Sequence, residues 1–163
     1  MNEAFERDAA RAPERALETA DAQAVEAQPR VHVLILDDHA PSRDLCADYC
    51  DLFDHTSERY GEARDAVKAL KRAPFGAVVV NLHADAWDAL ELIPAIRALP
   101  RPAGRTPIIG LTGVGRGHEA QRWLGAGLAA VLPKPVTAAR LYAALTAALD
   151  DRPDEPRSWA PAR

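Results

Sequence analysis

The chain has 163 residues, of which 48% are hydrophobic and 27% charged, and its net charge is -4 at pH 7. This composition is typical of one globular domain, and the lack of a basic excess argues against nucleic acid as a direct partner, because phosphate binding depends on Lys and Arg. No apolar run approaches the roughly 20 residues of a membrane-spanning helix, and the acidic, Ala-rich N-terminus lacks the pattern of a signal peptide. We therefore expect a cytoplasmic protein without membrane contact.

The two ends of the chain differ in composition from its middle. Residues 1–30 offer only Phe5, Leu17 and Val25 as large apolar side chains after the first Met, which is too few to bury a helix face. Residues 151–163 contain three prolines, and proline lacks a backbone donor and disfavours regular structure. We predict disordered tails over these two ranges and one folded domain over residues 31–150.

Short apolar runs alternate with amphipathic segments between the tails. The runs VHVLIL (31–36), AVVV (77–80), PIIGL (107–111) and AAVL (129–132) are predicted strands, and HTSERY (55–60) is a weaker, more polar one. Alternation of this kind predicts βα units around a parallel sheet that is buried on both faces. We expect five strands and five helices.

The spacing of apolar residues predicts which side of each helix faces the sheet. In chain order, the residues predicted to face inward are Leu45, Tyr49 and Leu52; Ala66, Val67 and Leu70; Leu90, Ile93, Ile96 and Leu99; Ala120, Trp123 and Leu124; and Leu141, Leu145 and Ala148.

Two cysteines, Cys46 and Cys50, lie four residues apart on the first predicted helix. Residues at this spacing share one face of a helix. No His or further Cys completes the spacing of a zinc site, so we expect the thiols to act as small apolar side chains.

Polar residues follow four of the predicted strands. In an open parallel sheet, functional groups collect outside the carboxyl ends of the strands. That rule selects Asp37 and Asp38 after the first strand, Asn81 after the third, Thr112 after the fourth and Lys134 after the fifth.

The motifs LILDDH, VVVNLHADAWDALEL, PIIGLTG and AAVLPKPV fall in the order and spacing of the receiver domains of bacterial two-component response regulators. The chain resembles that family over roughly residues 31–150. The resemblance implies a flavodoxin-like (βα)5 fold, a doubly wound parallel sheet, and a site where a kinase histidine passes a phosphoryl group to an aspartate that binds Mg²⁺ with an acidic pair. By resemblance, Asp37 and Asp38 are that pair, Thr112 is the phosphoryl-binding hydroxyl and Lys134 is its cationic partner.

Asn81 stands where the family places the acceptor aspartate. A carboxamide lacks the charge and the nucleophilic oxygen that attack on phosphohistidine requires, so we predict no phosphotransfer at this residue. Mg²⁺ prefers hard anionic oxygens, and Asp37 and Asp38 alone should bind it weakly or not at all. We expect no required cofactor.

Three further positions depart from the family pattern. In the loop after Asn81, Asp85 stands where Pro is usual, and Ala89 replaces the Gly of an Asp-Gly pair of which Asp88 is retained. Ala89 is expected to restrict the loop, since only Gly reaches positive φ cheaply. Val131 stands where active receivers commonly carry an aromatic side chain that turns inward. The resemblance therefore implies that the switch is lost together with the acceptor.

Other roles stay open for several of these residues. The acidic pair could cap a helix, and Thr112 and Lys134 could be an ordinary strand end and turn. Trp87 is expected to pack against its neighbours, with a ligand or partner contact as the alternative. His39 and His83 lie near the acidic pair in sequence and could recruit a transition metal.

We predict a stand-alone atypical receiver, a pseudo-receiver, which is not an enzyme and works by binding a protein. That protein would be a histidine kinase, a phosphotransferase, another signalling protein or a second copy of the chain. One alternative is a phosphoacceptor that uses Asp85 or Asp88. Another is a nucleotide-sensing receiver with cationic contacts from Arg116, Arg122 and Arg140.

The last predicted helix carries no charged residue between its first turn and its end. Three of its residues are expected to point outward, where a solvated helix usually carries Lys and Glu. Use of Ala as a helix filler explains the same sequence. The residues predicted to form a dimer or partner surface, with one arginine of the fourth helix, are Tyr142, Thr146, Leu149 and Arg122.

Overall fold

The computed structural model describes residues 29–113 and 116–151, so the predicted tails lie outside the described residues except at their inner ends. The described part contains five strands and five α-helices in alternation, with short 3-10 helices at Ala103–Arg105 and Gly117–Glu119. The elements are β1 His32–Leu36, α1 Ala40–Leu52, β2 Thr56–Tyr60, α2 Ala63–Arg72, β3 Ala77–Asn81, α3 Ala89–Arg97, β4 Ile108–Thr112, α4 Ala120–Gly125, β5 Ala130–Pro133 and α5 Ala138–Asp150.

All five strands form one parallel sheet in the order β2-β1-β3-β4-β5. This order confirms the predicted flavodoxin-like, doubly wound fold, with the reversal of winding between β1 and β3. The weak strand predicted at 55–60 is confirmed as the edge strand β2. Its polarity follows from its place, because only one neighbour pairs with it and several of its side chains are part-exposed.

Two apolar clusters cover the two faces of the sheet. One cluster packs β1 side chains such as Leu34 and Leu36 against α2, α3 and α4. The other packs Val33 and Ile35 against α1 and α5. Successive strand residues point to opposite faces, and both faces are covered, which explains why VHVLIL is apolar throughout.

The inward face of α1 differs from the prediction. Leu45 and Leu52 are 39% and 70% exposed, so placing them against the sheet was wrong. The buried residues are Cys46, Ala47 and Cys50. These small side chains let α1 lie close to the sheet, where leucines would need more room. The predicted apolar role of the two cysteines is confirmed, since both are free and buried, and burial raises the pKa of Cys50 to about 12.

Two more leucines were wrongly placed inward, and both are 41% exposed: Leu90 on α3 and Leu124 on α4. The short α4 buries Trp123 instead. α3 instead buries Leu92 and Ile93, which lie two and three residues after Leu90. In α5 the predicted inward residues are confirmed, and they are Leu141, Leu145 and Ala148.

The outward face of α5 is also rotated from the prediction. Tyr142, Thr146 and Leu149 are half-buried. The Tyr142 ring lies 4.8 Å from the Phe53 ring, centroid to centroid, and Leu149 packs against the cluster shared with α1. α1 covers this flank, so the prediction that these side chains point largely outward was wrong. The exposed residues of α5 are Ala139, Arg140, Ala143, Ala147 and Asp150.

Among the residues that the structure describes, no helix is long and apolar enough to span a lipid bilayer.

Candidate functional site

The carboxyl ends of the parallel strands bring the selected polar residues to one edge of the sheet. Asp37 directly follows β1, Asn81 and Thr112 are the last residues of β3 and β4, and Lys134 directly follows β5. Asp37, Asp38, Asn81 and Lys134 form one hydrogen-bonded cluster, and Thr112 bonds to a different neighbour.

Asp37 is the buried centre of this cluster, with 1% of its surface exposed. The Lys134 ammonium donates to its Oδ2 at 2.8 Å, and the His39 N–H donates to its Oδ1 at 2.9 Å. Burial by itself raises the pKa of this carboxyl, but the hydrogen bonds from Lys134, Ser42 and His39 outweigh it and hold the pKa below its ordinary value. Asp37 is therefore ionised in the folded protein.

The Asn81 side chain bridges the acidic pair. Its Nδ2 donates to Oδ1 of Asp37 and to Oδ1 of Asp38, both at 3.2 Å. Its Oδ1 accepts the His83 N–H at 3.2 Å. The reversed amide would place an oxygen against two carboxylates and a nitrogen against an N–H, so the hydrogen-bond network admits one orientation. The amide N–H group thus lies between two negative charges.

The loop after β3 folds over this bridge. The Asp85 N–H donates to Asp38 Oδ2 at 2.9 Å, and Trp87 Nε1 donates to the Asn81 carbonyl at 3.1 Å. The expected packing of Trp87 is confirmed, since it lies part-buried against the first cluster. The Asp88 carboxylate caps α3 by accepting the Leu90 N–H at 2.8 Å.

The expected restriction of the loop at Ala89 stays a prediction. Ala89 is buried in the first turn of α3 and needs no positive φ. Within the described residues, Asp54 is the only residue other than Gly with positive φ.

Thr112 is engaged by His83, whose Nε2 lies 3.2 Å from the Thr112 hydroxyl oxygen and 3.3 Å from Oε2 of Glu119. Burial lowers the pKa of His83, the charges of Arg116 and Lys134 lower it further, and Glu119 opposes them. The imidazole is therefore neutral near pH 7. Its position covers the hydroxyl that the resemblance assigns to phosphoryl binding.

His39 and His83 do not converge on a metal. His39 caps α1, where its Nδ1 accepts the Ser42 N–H at 3.3 Å. Sequence reasoning missed Glu119 as a neighbour of His83, and also Arg43, whose NH1 donates to the Asp37 carbonyl at 2.7 Å. No sequence pattern links Glu119 to the site, because it lies in the 3-10 helix before α4.

The donor set does not fit a magnesium ion. Within residues 29–113 and 116–151, no group of three or more His, Cys, Asp or Glu side chains is arranged to hold a metal. The two carboxylates accept from Lys134, from Asn81 and from backbone N–H groups. Mg²⁺ needs oxygen donors in near-octahedral geometry, and Asn81 presents its nitrogen to the pair.

The three arginines of the nucleotide alternative do not meet. Arg116 pairs with Glu119 at 3.4 Å, and the Arg122 guanidinium lies 5.9 Å from the centre of the Trp123 ring. Arg140 is exposed in the first turn of α5. No ion pair or hydrogen bond joins them in the described part of the chain.

A parallel sheet in this order, with an acidic pair, a threonine and a lysine at its carboxyl edge, defines the receiver class of signalling domains. The sequence matches the response regulator receiver domain over residues 33–146. The chain belongs to that family, whose members are generally non-enzymatic domains that interact with histidine kinases or other signalling proteins.

Individual relatives agree with this assignment. The sensor histidine kinase RcsC of Escherichia coli K12 is 31% identical over 126 residues, which cover 77% of this chain and 13% of RcsC. A sensor protein from Polaromonas sp. JS666 has a TM-score of 0.68 at 24% identity, over 76% of this chain and 98% of that one. CheY4 of Vibrio cholerae has a TM-score of 0.65 at 21% identity, over 74% and 99%. The two solved structures show the shared fold.

Proposed function

We propose that this chain is an atypical receiver that acts by binding a signalling protein and is not phosphorylated at residue 81. The observation that carries the proposal is the Asn81 amide, which donates to both Asp37 and Asp38. In an active receiver, the resemblance places a carboxylate at this position and a metal ion against the pair.

The amide replaces the metal as the partner of the acidic pair. Two adjacent carboxylates repel each other when no cation lies between them. Here the amide dipole and the Lys134 ammonium offset that repulsion without adding a negative charge, so the pocket is stable as it stands. It also presents no anionic nucleophile to a phosphodonor.

Two neighbouring residues support the same conclusion. His83 is hydrogen-bonded to the hydroxyl of Thr112, so that hydroxyl already has a partner within the protein. Val131 has no ring to reorient. The receiver therefore presents one conformation to its partner. The partner recognises that conformation, and its binding does not depend on phosphorylation.

The partner class follows from the family: a histidine kinase, a phosphotransferase, another signalling protein or a second copy of the chain. The surface proposed for it is the α4 and α5 side, with Arg122 exposed on α4. Because Tyr142, Thr146 and Leu149 are half-buried, we place the centre of this surface on the exposed residues Ala143 and Ala147 instead. Alanine at 143 and 147 leaves the backbone of α5 open to close approach by another protein.

The test is Asn81→Asp, with labelling by acetyl phosphate in the presence of Mg²⁺ as the readout. The native protein should remain unlabelled, because it has no nucleophile at the site. Asn81→Asp should acquire label and some Mg²⁺ affinity, since it restores the third carboxylate. Asn81→Ala is the matched control, because it removes the amide bridge without supplying a nucleophile and should stay unlabelled.

Robust labelling of the native protein would overturn the proposal. The labelled residue would then be mapped by mass spectrometry, and Asp85→Asn and Asp88→Asn would show whether either of the alternative acceptors carries the phosphoryl group. Failure of Asn81→Asp to gain label would instead place the decisive change in the loop that carries Asp85 or in the engagement of Thr112 by His83.

A further inference from the structure

A groove lies between the last turns of α5 and the starts of β4 and β5, at the edge of the sheet opposite Asn81. Its wall consists mainly of small apolar side chains, and its rim carries two charged residues. The residues that matter below are Pro107, Ala130, Ala144 and Ala147 in the wall and Arg105 and Asp151 at the rim. This surface is called the α5 groove below.

The size and lining of the α5 groove suit a single apolar side chain. Its volume is about 210 Å³, whereas sites for small-molecule ligands usually measure roughly 300–1,000 Å³. Ala147 is exposed and Ala130 half-buried, so part of the apolar wall faces solvent. Covering apolar surface of this kind is favourable.

The chain leaves the described fold at this groove. α5 ends at Asp150, and the Asp151 N–H donates to the Ala147 carbonyl at 3.2 Å. Asp151 itself lines the groove. Residues 152–163, called the C-terminal segment below, therefore begin at its rim.

The C-terminal segment contains one large apolar side chain, that of Trp159. An indole is a large apolar group whose N–H can stay at a wet rim. Trp159 comes eight residues after Asp151, and a chain of that length spans up to about 26–29 Å. Pro153 and Pro156 exclude regular structure between them, so the segment is free to turn back over the groove.

The charges of the segment are compatible with those of the rim. Arg105 and Asp151 give the rim one charge of each sign. The segment carries three arginines and two acids, Asp154 and Glu155, so it is nearly neutral and meets no net repulsion. Its two acids come three and four residues after Asp151, where they can reach Arg105. Apolar contact by the indole is the main attraction.

We propose that the C-terminal segment docks on the α5 groove of its own chain, with the Trp159 indole against the alanines. The exit point of the chain, the alanine wall and the one large apolar side chain of the segment coincide there. Tethering keeps the indole at high local concentration, so a modest contact suffices. Ala147 also belongs to the surface proposed for a partner, so the docked segment would cover part of that surface. The docking itself does not rest on the proposed function.

The test is NMR of the full 15N-labelled chain, compared with Trp159→Ser. An aromatic ring shifts the resonances of the groups that it covers. Loss of the indole should therefore change the amide shifts of Ala130, Ala144 and Ala147 most. The Trp159 indole N–H should be absent from the Trp159→Ser spectrum, and in the native chain its shift should differ from that in a synthetic peptide of residues 150–163.

Ala147→Glu places a charge in the groove and should move the Trp159 indole signal to its position in the peptide. The matched control is Ala143→Glu, which makes the same change at an exposed alanine one turn earlier on α5, outside the groove. This control should keep the native Trp159 signal. The indole signals of Trp87 and Trp123 report the fold and should stay in place in both variants.

A native Trp159 signal identical to that of the peptide would overturn the proposal. So would shift changes in Trp159→Ser that avoid the groove, or a native Trp159 signal that survives Ala147→Glu or is lost in Ala143→Glu. A docked signal that disappears on dilution would overturn docking within one chain and assign the groove to the C-terminal segment of a second copy.

Discussion

At the scale of single residues, partners decide which buried groups carry charge. Asp37 is nearly inaccessible yet ionised, because the Lys134 ammonium and the His39 N–H donate to its carboxylate. His55 is buried and neutral, because its Nδ1 must accept the Val31 N–H and an imidazolium has no acceptor. The first arrangement ties β5 to β1, and the second ties the start of β1 to the loop before β2.

The stability of the protein should therefore fall in mild acid through His55. Burial lowers the pKa of His55 from its ordinary value of 6.5. Below pH 6.5 the unfolded chain takes up a proton that the folded state excludes, so the stabilisation is present at higher pH and is lost as the pH falls through the folded pKa. The pKa of His83 is lowered in the same direction.

Urea denaturation at pH 7.5, 6.5 and 5.5 would measure this loss. His55→Asn keeps an oxygen that can accept the Val31 N–H but removes the titrating ring, so the variant should lose part of the pH dependence. An unchanged dependence on pH in His55→Asn would show that other groups cause it.

At the scale of elements, the pairing of β3 with β4 holds Asn81 in place. Val80 lies opposite Gly110 and Asn81 opposite Leu111 in the parallel register. Leu82 reaches across β4 at Gly110, where an added Cβ would lie 2.6 Å from Leu82 Cδ1 and 2.9 Å from Leu128 Cδ1. The missing side chain of Gly110 thus makes room for the residue next to Asn81.

Gly110→Ala should destabilise the fold by about 1–3 kcal/mol, the usual range for overpacking a filled core. Gly113→Ala is the matched control, because a Cβ there meets no atom within 4 Å. Adding Leu82→Ala to Gly110→Ala should cost less than the two changes separately, since they share one contact. Urea denaturation of the four variants would measure the coupling, and strict additivity would contradict the proposed clash.

At the scale of the whole molecule, we propose that the acidic pair is balanced without a metal. Asn81 and Lys134 supply the donors that the carboxylates accept. A ligand that binds the folded state stabilises it by RT ln(1 + L/Kd), where L is the free ligand concentration, and this stays small when that concentration does not exceed the dissociation constant. Several millimolar Mg²⁺ should therefore shift the melting temperature of the native protein little.

Thermal melts with and without Mg²⁺ at fixed ionic strength would test this, with Asn81→Asp as the comparison. The variant should melt lower than the native protein without metal, because a third carboxylate adds repulsion, and it should gain more from Mg²⁺. A rise of many degrees in the native protein would reveal a working metal site.

The sequence by itself determined the sheet and its carboxyl-edge residues, because strand runs, helical spacing and the strand-end rule depend on local pattern. That Asn81 replaces an acceptor is what the family resemblance implies. The tertiary structure decided which face of each helix packs against the sheet. α1 turns Cys46 and Cys50 inward and leaves Leu52 exposed, since the gap above the sheet sets which side chains fit. It also decided that Asn81 bridges the acidic pair and that His83 bonds to Thr112, because those contacts join residues from different strands whose distances no local pattern encodes.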